Sequence, residues 1–196
     1  MKKIFLITGL LIASLTGFSQ SSFQQHYINQ TEVGVLLGRV RYDIYGGQNT
    51  TPQYQNENRA NLTLQTFNGI QYSPRLGVGI TTGIDWYTAA LLNPIALGAR
   101  YDITGKKNVR LYASADAGYG FAWFHQNTDG YDTRGGVMLN PGLGLRMGKP
   151  DGAAFTLSFS YKHQNATVSK PPLADETTRT EDREYNRIVV RMGISF

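Results

Sequence analysis

The chain has no cysteine and only three histidines, His26, His125 and His163. Without cysteine it has no disulfide bonds, and no thiol near the N-terminus that a lipid could modify. The histidines lie far apart and none belongs to a spacing typical of metal-binding proteins. The sequence therefore predicts neither a metal site nor a cofactor.

Neither sign of charge dominates, because 14 acidic residues offset the 19 lysines and arginines. A balance this even, with its charges spread along the chain, argues against a nucleic-acid partner. Beyond the N-terminus there is also no apolar run approaching the roughly 20 residues of a transmembrane helix. If the protein is embedded in a membrane, strands must cross it.

The one long apolar run, residues 4–15, follows Lys2 and Lys3 and precedes the small residues Gly17 and Ser19. This order is typical of a secretory signal peptide, and the run is too short for a membrane-spanning helix. We expect cleavage after Ser19. The predicted organisation is a signal peptide at 1–19, an N-terminal periplasmic segment at 20–30 and one barrel domain at 31–196.

Apolar and polar residues alternate in eight runs, and no helical period is present. The runs are 32–41, 60–72, 75–87, 92–103, 108–124, 135–147, 153–164 and 185–196. Short links follow runs two, four and six, whereas long polar segments follow runs one, five and seven. Short turns at one rim and long loops at the other are typical of outer-membrane barrels, and eight strands place both chain ends at the periplasmic rim.

A soluble eight-stranded barrel would also alternate, with its faces inverted. Here one row of each run is continuously apolar, whereas the other mixes charged residues with glycine, which suits a crowded lumen. Aromatic residues also lie at the ends of the runs, where membrane interfaces would be. They are Tyr72, Trp86, Tyr87, Tyr101, Trp123, Phe124, Tyr161, Tyr185 and Phe196. The predicted fold is all-β, an eight-stranded antiparallel up-and-down transmembrane β-barrel.

The row opposite the apolar one predicts a charge network in the lumen, with Glu32 as a further acid. Its members are Arg75, Asp85, Arg100, Asp102, Arg110, Asp116, Arg146, Lys162, Arg187 and Arg191. Because side chains fill an eight-stranded barrel, we expect an ion-paired plug, with glycines making room, and not an open pore. Two places break the alternation: Arg39 in run one, and Thr66 with Asn68 in run two. Either a bulge or departure from the lipid would explain each.

The segment "PGLGLRMG" (141–148), the terminal "RMGISF" and the eight alternating runs resemble the small eight-stranded outer-membrane barrels, the OmpA/OmpX-like group with its short Bacteroidota members. The resemblance implies the outer membrane of a Gram-negative bacterium and contact with its lipid. It also implies recognition by the barrel-assembly machinery through Phe196, Ile194, Met192 and Val190.

The main functional hypothesis is a non-enzymatic structural or surface-interaction protein that binds an extracellular ligand through the polar segments 43–59, 125–134 and 165–184. A narrow channel or solute transporter is one alternative. Another is a lipid A-modifying enzyme centred on His163, because "YKHQNA" (161–166) resembles a local motif of lipid A deacylases. In that motif a serine stands two residues after the histidine, where this chain has Asn165, so the reaction lacks its nucleophile.

Overall fold

The computed structural model describes residues 23–43, 54–88, 90–104, 108–125, 132–149, 152–170 and 179–196. The predicted signal peptide lies outside these ranges, as do residues 44–53, 126–131 and 171–178. Within the described ranges, no helix is long and apolar enough to cross a membrane.

Eight antiparallel strands follow one another along the chain and close into a single barrel. They are β1 (Tyr27–Asp43), β2 (Tyr54–Gln71), β3 (Leu76–Tyr87), β4 (Ala90–Asp102), β5 (Val109–Phe121), β6 (Asp132–Gly148), β7 (Ala154–Lys170) and β8 (Arg179–Ser195). The last strand pairs with the first, from Gln30 opposite Ser195 to Tyr42 opposite Arg183. Every strand therefore has two neighbours, and the wall has no open side. The predicted fold class is confirmed.

The two ends of the barrel differ. The links after β2, β4 and β6 meet at one end, together with the start of β1 and the end of β8. We call this the short-turn end. The links after β1, β3, β5 and β7 meet at the other, the long-loop end.

Several strands are longer than the alternating runs that predicted them. β1 begins at Tyr27, so residues 27–30 belong to the barrel wall and not to an N-terminal segment. β7 continues to Lys170 and β8 begins at Arg179, so most of the predicted loop 165–184 is strand. There Thr167 Oγ1 donates to Asp182 Oδ1 across the pair at 2.9 Å. Alternation disappears where both faces are polar, yet the backbone hydrogen bonds continue.

The outer surface of the barrel is an apolar band. Its most exposed large side chain, Leu97, keeps 75% of its surface accessible, and Ile188 keeps 60%. Most of the predicted interface aromatics lie outside as expected, but Tyr87 and Tyr185 do not. Both are buried in the lumen, where their rings stack with centroids 4.1 Å apart. Each is a terminal residue of its predicted run, where alternation does not predict whether the ring faces the lumen or the outside.

Arg39 lies beyond the apolar band. The pairing of β1 with β2 runs without a shift from Tyr27 to Asp43, so no bulge turns Arg39 inward. Arg39 is exposed on the outer surface, opposite Asn186 of β8. Of the two explanations that the sequence left open, departure from the lipid is the one that applies.

Thr66 and Asn68 form part of a hydrogen-bonded polar patch on the outer surface. The pairings of β2 with β1 and β3 are continuous, so no bulge is present here either. Asn68 Oδ1 accepts hydrogen bonds from the Tyr27 hydroxyl at 2.5 Å and from Asn29 Nδ2 at 2.7 Å. Asn29 Nδ2 also donates to Thr66 Oγ1 at 3.2 Å. The patch is tolerated at the apolar surface because its members bond to one another.

Candidate functional site

Inward-facing side chains fill the lumen, as the narrow section of an eight-stranded barrel requires. Polar and charged groups occupy its centre and its short-turn end, whereas an apolar cluster lies on the long-loop side of the centre, with the buried Glu181 beyond it. The buried charged residues are Glu32, Asp85, Arg100, Asp102, Arg110, Asp116, Lys162, Glu181, Arg187 and Arg191. Charges so placed need partners inside the barrel.

Asp116 of β5 organises the centre of the lumen. Its Oδ1 accepts from Arg100 Nη1 at 2.8 Å and from Thr81 Oγ1 at 2.6 Å. Asn140 Nδ2 donates to Oδ2 at 3.0 Å. The Arg100 guanidinium also lies 4.4 Å from the centre of the Phe67 ring. Side chains from four strands, and the ring of Phe67 on a fifth, thus surround one buried ion pair.

A second central pair joins Lys162 of β7 to Asp85 of β3, and Thr63 Oγ1 donates to the same carboxylate at 2.7 Å. Arg191 of β8 donates from Nη1 to Ser160 Oγ at 3.1 Å. Within the described part of the chain, Nε and Nη2 of Arg191 have no hydrogen-bond partner. Arg191 therefore belongs to the central charged layer without a carboxylate bonded directly to it.

An apolar cluster fills the lumen on the long-loop side of the central charged layer. The cluster there consists of Leu36, Val40, Tyr87, Ala90, Leu92, Ala166, Tyr185 and Val189, and we call it the apolar cap. Arg187 lies beside it, with its guanidinium 5.8 Å and 5.7 Å from the rings of Tyr87 and Tyr185. Arg187 Nη1 donates to the backbone carbonyls of Gly38 and Arg59. Arg187, a member of the predicted charge network, thus bonds to backbone carbonyl oxygens and not to a carboxylate.

At the short-turn end, one carboxylate serves two arginines. Asp102 Oδ1 lies 3.2 Å from Arg146 Nη1, and Asp102 Oδ2 lies 3.7 Å from Arg110 Nη1. Arg146 Nη2 also donates to Gln30 Oε1 at 3.4 Å, and Gln30 Nε2 donates to the Tyr112 hydroxyl at 2.8 Å. The group spans β1, β4, β5 and β6.

This group forms the inner wall of a cavity of about 690 Å³ at the short-turn end, which we call the arginine cavity. Arg75, Arg110 and Arg146 supply its cationic lining, and among the described residues Asp102 supplies an acidic side chain. Apolar lining comes from Phe23, Ile28, Phe67 and Pro74. The cavity is therefore amphipathic, with an excess of positive side-chain charge.

The structure corrects the predicted position of Arg75. Alternation predicts that Arg75 faces the lumen with Gly77, but Arg75 lies in the turn between β2 and β3 and its side chain is exposed. The strand begins at Leu76, so the alternation that placed Arg75 inside does not extend to it. Arg75 contributes to the cavity mouth instead.

The sequence also missed Gln30, Phe67 and the segment around Phe23 as parts of this site. They come from separate stretches of chain, and only closure of the barrel brings them together. No group of three or more His, Cys, Asp or Glu side chains that could hold a metal occurs in the residues that the model describes.

No family model matches the chain, and no curated protein matches it. Several solved structures match the chain. The outer membrane protein OprG from Pseudomonas aeruginosa is similar over 86% of this chain and 93% of its own, with a TM-score of 0.59 and 14% identity. The N-terminal β-barrel domain of OprF from the same organism is similar over 88% and 98%, with a TM-score of 0.53 and 14% identity. The fold is that of the small outer-membrane barrels.

The apolar outer band belongs to a barrel embedded in the outer membrane, so the short-turn end is periplasmic and the long-loop end extracellular. The predicted assembly signal lies at the periplasmic rim of β8. Ile194, Met192 and Phe196 are exposed on the lipid-facing side, and Val190 shares their row. That orientation leaves the signal accessible to a membrane-embedded partner, and its recognition stays a prediction.

Proposed function

We propose that the protein is a closed, non-enzymatic outer-membrane barrel whose role is interaction at the cell surface. The observation that carries this proposal is the apolar cap at the extracellular end of the lumen. Leu36, Leu92 and Val189 in the cap have no accessible surface. An ion crossing this layer would lose most of its water and meet the Arg187 guanidinium and two tyrosine hydroxyls, too few polar groups to replace it, at a cost of several kcal/mol.

The extracellular continuation of the strands supports an interaction role. Beyond the apolar band the outward side chains are polar, as with Asn165 and Thr167 on β7 and Asp182 and Glu184 on β8. This ribbon extends the barrel wall beyond the apolar band. It supports recognition through the segments 43–59, 125–134 and 165–184, in which residues 54–59, 132–134, 165–170 and 179–184 are strand.

The surroundings of His163 support a non-enzymatic role. Its Nδ1 lies 2.7 Å from Asn186 Oδ1, and Leu139 faces it from β6. The Tyr161 hydroxyl donates to the same Asn186 oxygen at 3.0 Å. This is a polar network at the membrane interface, and among the described residues no serine or threonine hydroxyl hydrogen-bonds to His163. We expect a His163→Ala variant to leave lipid A acylation in the host unchanged, whereas a change in acylation would establish the enzymatic alternative.

Conductance in planar bilayers tests the closed barrel. The purified protein should give no stepwise openings under conditions in which an open trimeric porin, reconstituted in parallel, does. Reproducible stepwise openings would overturn the closed state and favour the channel alternative.

Complementation tests the surface role. In a variant with residues 44–53 and 171–178 replaced by tight turns, the barrel strands are untouched, so assembly should be normal on a heat-modifiability gel. The variant should fail to restore whatever property its host loses on deletion of the gene. Full restoration by the shortened variant would show that the role lies in the barrel and not at the surface.

A further inference from the structure

We propose that the arginine cavity binds an amphipathic organic anion, a carboxylate or phosphate ester with an apolar group, from the periplasmic side. The proposal concerns the end of the barrel opposite the extracellular loops. It does not depend on whether those loops bind a partner.

The charge of the cavity favours an anion. Its lining side chains carry three guanidinium groups and one carboxylate. Asp102 is shared between Arg110 and Arg146, with both contacts on different oxygens. Glu32 does not line the cavity; it lies beyond Tyr112, whose hydroxyl donates to it at 3.4 Å. Among the described residues, Arg75 makes no ion pair and Arg146 shares its carboxylate with Arg110.

Arg146 is the more accessible of the two guanidinium groups that line the cavity from inside the barrel. Its side chain is 12% exposed, and its contact with Gln30 is long, at 3.4 Å. Its Nε is buried without a hydrogen-bond partner in the described part of the protein. Arginine presents several N–H groups in a planar fork that matches carboxylate and phosphate oxygens. An anion beside Arg146 would gain charge-assisted hydrogen bonds in a partly desolvated place.

The opposite lining indicates that the anion has an apolar part. Phe23, Ile28 and Phe67 line the cavity. A volume of about 690 Å³ lies within the range of small-molecule sites and exceeds what an inorganic ion needs. Gln30 and Gln71 add amide groups that could bind polar substituents.

Access is from the periplasm. The mouth lies between the turn that contains Pro74 and Arg75 and the segment 23–26 before β1. That segment is held in place because the Gln71 backbone N–H donates to the His26 carbonyl at 2.9 Å. The apolar cap occupies the far end of the lumen. A ligand would therefore enter and leave at the same end.

Calorimetric titration of the purified barrel in non-ionic detergent tests this site with three probes. Phenyl phosphate combines the two chemistries, inorganic phosphate carries the charge alone and benzyl alcohol carries the ring alone. We expect saturable binding of phenyl phosphate, binding of inorganic phosphate about tenfold weaker or less, and none of benzyl alcohol. Equal heats for phenyl phosphate and benzyl alcohol, or no saturable binding of phenyl phosphate, would overturn the proposal.

Variants locate the binding. Arg146→Gln should weaken phenyl phosphate binding about tenfold, the loss expected for a charge-assisted hydrogen bond. Arg75→Gln changes an exposed turn residue, so it should fold even if Arg146→Gln does not, and it should weaken binding by a smaller factor. Arg134→Gln, on an exposed arginine at the extracellular end, is the matched control. A loss with Arg134→Gln equal to that with Arg75→Gln would refute the assignment to this cavity.

Nanodiscs distinguish the two sources of such an anion. If phosphatidylglycerol added to phosphatidylcholine discs displaces phenyl phosphate, the cavity takes a lipid headgroup of the inner leaflet. If phenyl phosphate binds equally well in both discs, it takes a soluble periplasmic anion.

Discussion

Asp116 is the residue on which the charge balance of the central lumen depends. Arg100, Thr81 and Asn140 all donate to its carboxylate, from three different strands. Its neighbour across the pair is Gly98, where a Cβ would lie 2.7 Å from Asp116 Oδ1 and 2.6 Å from Thr81 Oγ1. Glycine at this position gives the carboxylate the space to reach its donors.

Asp116→Asn keeps the shape of the side chain and removes its charge. Arg100 would then be a buried cation without its ion-pair partner, which typically costs about 3–5 kcal/mol of unfolding free energy. Urea unfolding of the refolded protein in bilayers, followed by tryptophan fluorescence, measures the change.

Asp132→Asn is the matched control, because its partner Arg134 is exposed and the pair lies outside the lumen. Its effect should be about 0–1 kcal/mol, as for surface ion pairs in general. Similar losses in the two variants would show that Asp116 is not buried as described.

At the scale of the strand, β8 combines three roles in one alternating sequence. Its inward residues Arg187 and Arg191 fill the lumen, and its outward row faces lipid. Phe196 directly follows the strand and is 63% exposed. The inward row of β8 thus packs the lumen. The outward row faces lipid in the membrane and is accessible to the assembly machinery before insertion.

Phe196→Ala separates an assembly signal from an ordinary interface aromatic. We expect the variant to accumulate unassembled in the periplasm, because a terminal aromatic is the part of the signal most exposed to the assembly machinery. The fraction of heat-modifiable protein in outer-membrane preparations measures assembly.

The control is Phe155→Ala, since Phe155 also faces outward near the periplasmic rim and is 44% exposed. If Phe196 were only an interface aromatic, both substitutions should reduce the assembled fraction equally. A normal yield of the Phe196→Ala barrel would remove the basis for the targeting argument.

Alternation predicted the strands, their closure and most of the row assignments, because lipid and lumen impose opposite chemistry on neighbouring residues. It did not predict the apolar cap. Leu36 lies between Val35 and Leu37 in a stretch where both rows are apolar, so its inward direction left no signal. Nor did it predict that Arg187 would bond to backbone carbonyls, since that depends on the positive φ of 143° at Gly38 and on the course of a neighbouring strand.

At the scale of the whole molecule, the lumen is asymmetric. A cavity opens at the periplasmic end, a charged layer fills the centre and the apolar cap fills the extracellular end. Water and solutes therefore reach interior side chains from one compartment only.

The absence of cysteine makes this asymmetry testable. Ser195 lines the arginine cavity and Val189 belongs to the apolar cap, and both can be replaced by cysteine with little change in volume. We expect a small charged methanethiosulfonate to modify Ser195→Cys at least about tenfold faster than Val189→Cys, because charged reagents do not enter an apolar layer. Equal rates, with both variants folded on a gel, would indicate a continuous aqueous lumen.

The seam between the first and last strands has a consequence for biogenesis. Asn29 and Phe196 exchange backbone hydrogen bonds, the N–H of Asn29 to the Phe196 carbonyl at 2.7 Å and the N–H of Phe196 to the Asn29 carbonyl at 2.9 Å. The ribosome completes β1 long before it makes β8, so β1 exists for a time without the partner that closes the wall. Until β8 pairs with it, the apolar row of β1 needs chaperones to shield it from water. A product truncated before β8 would be a sheet with two open edges and not a smaller barrel.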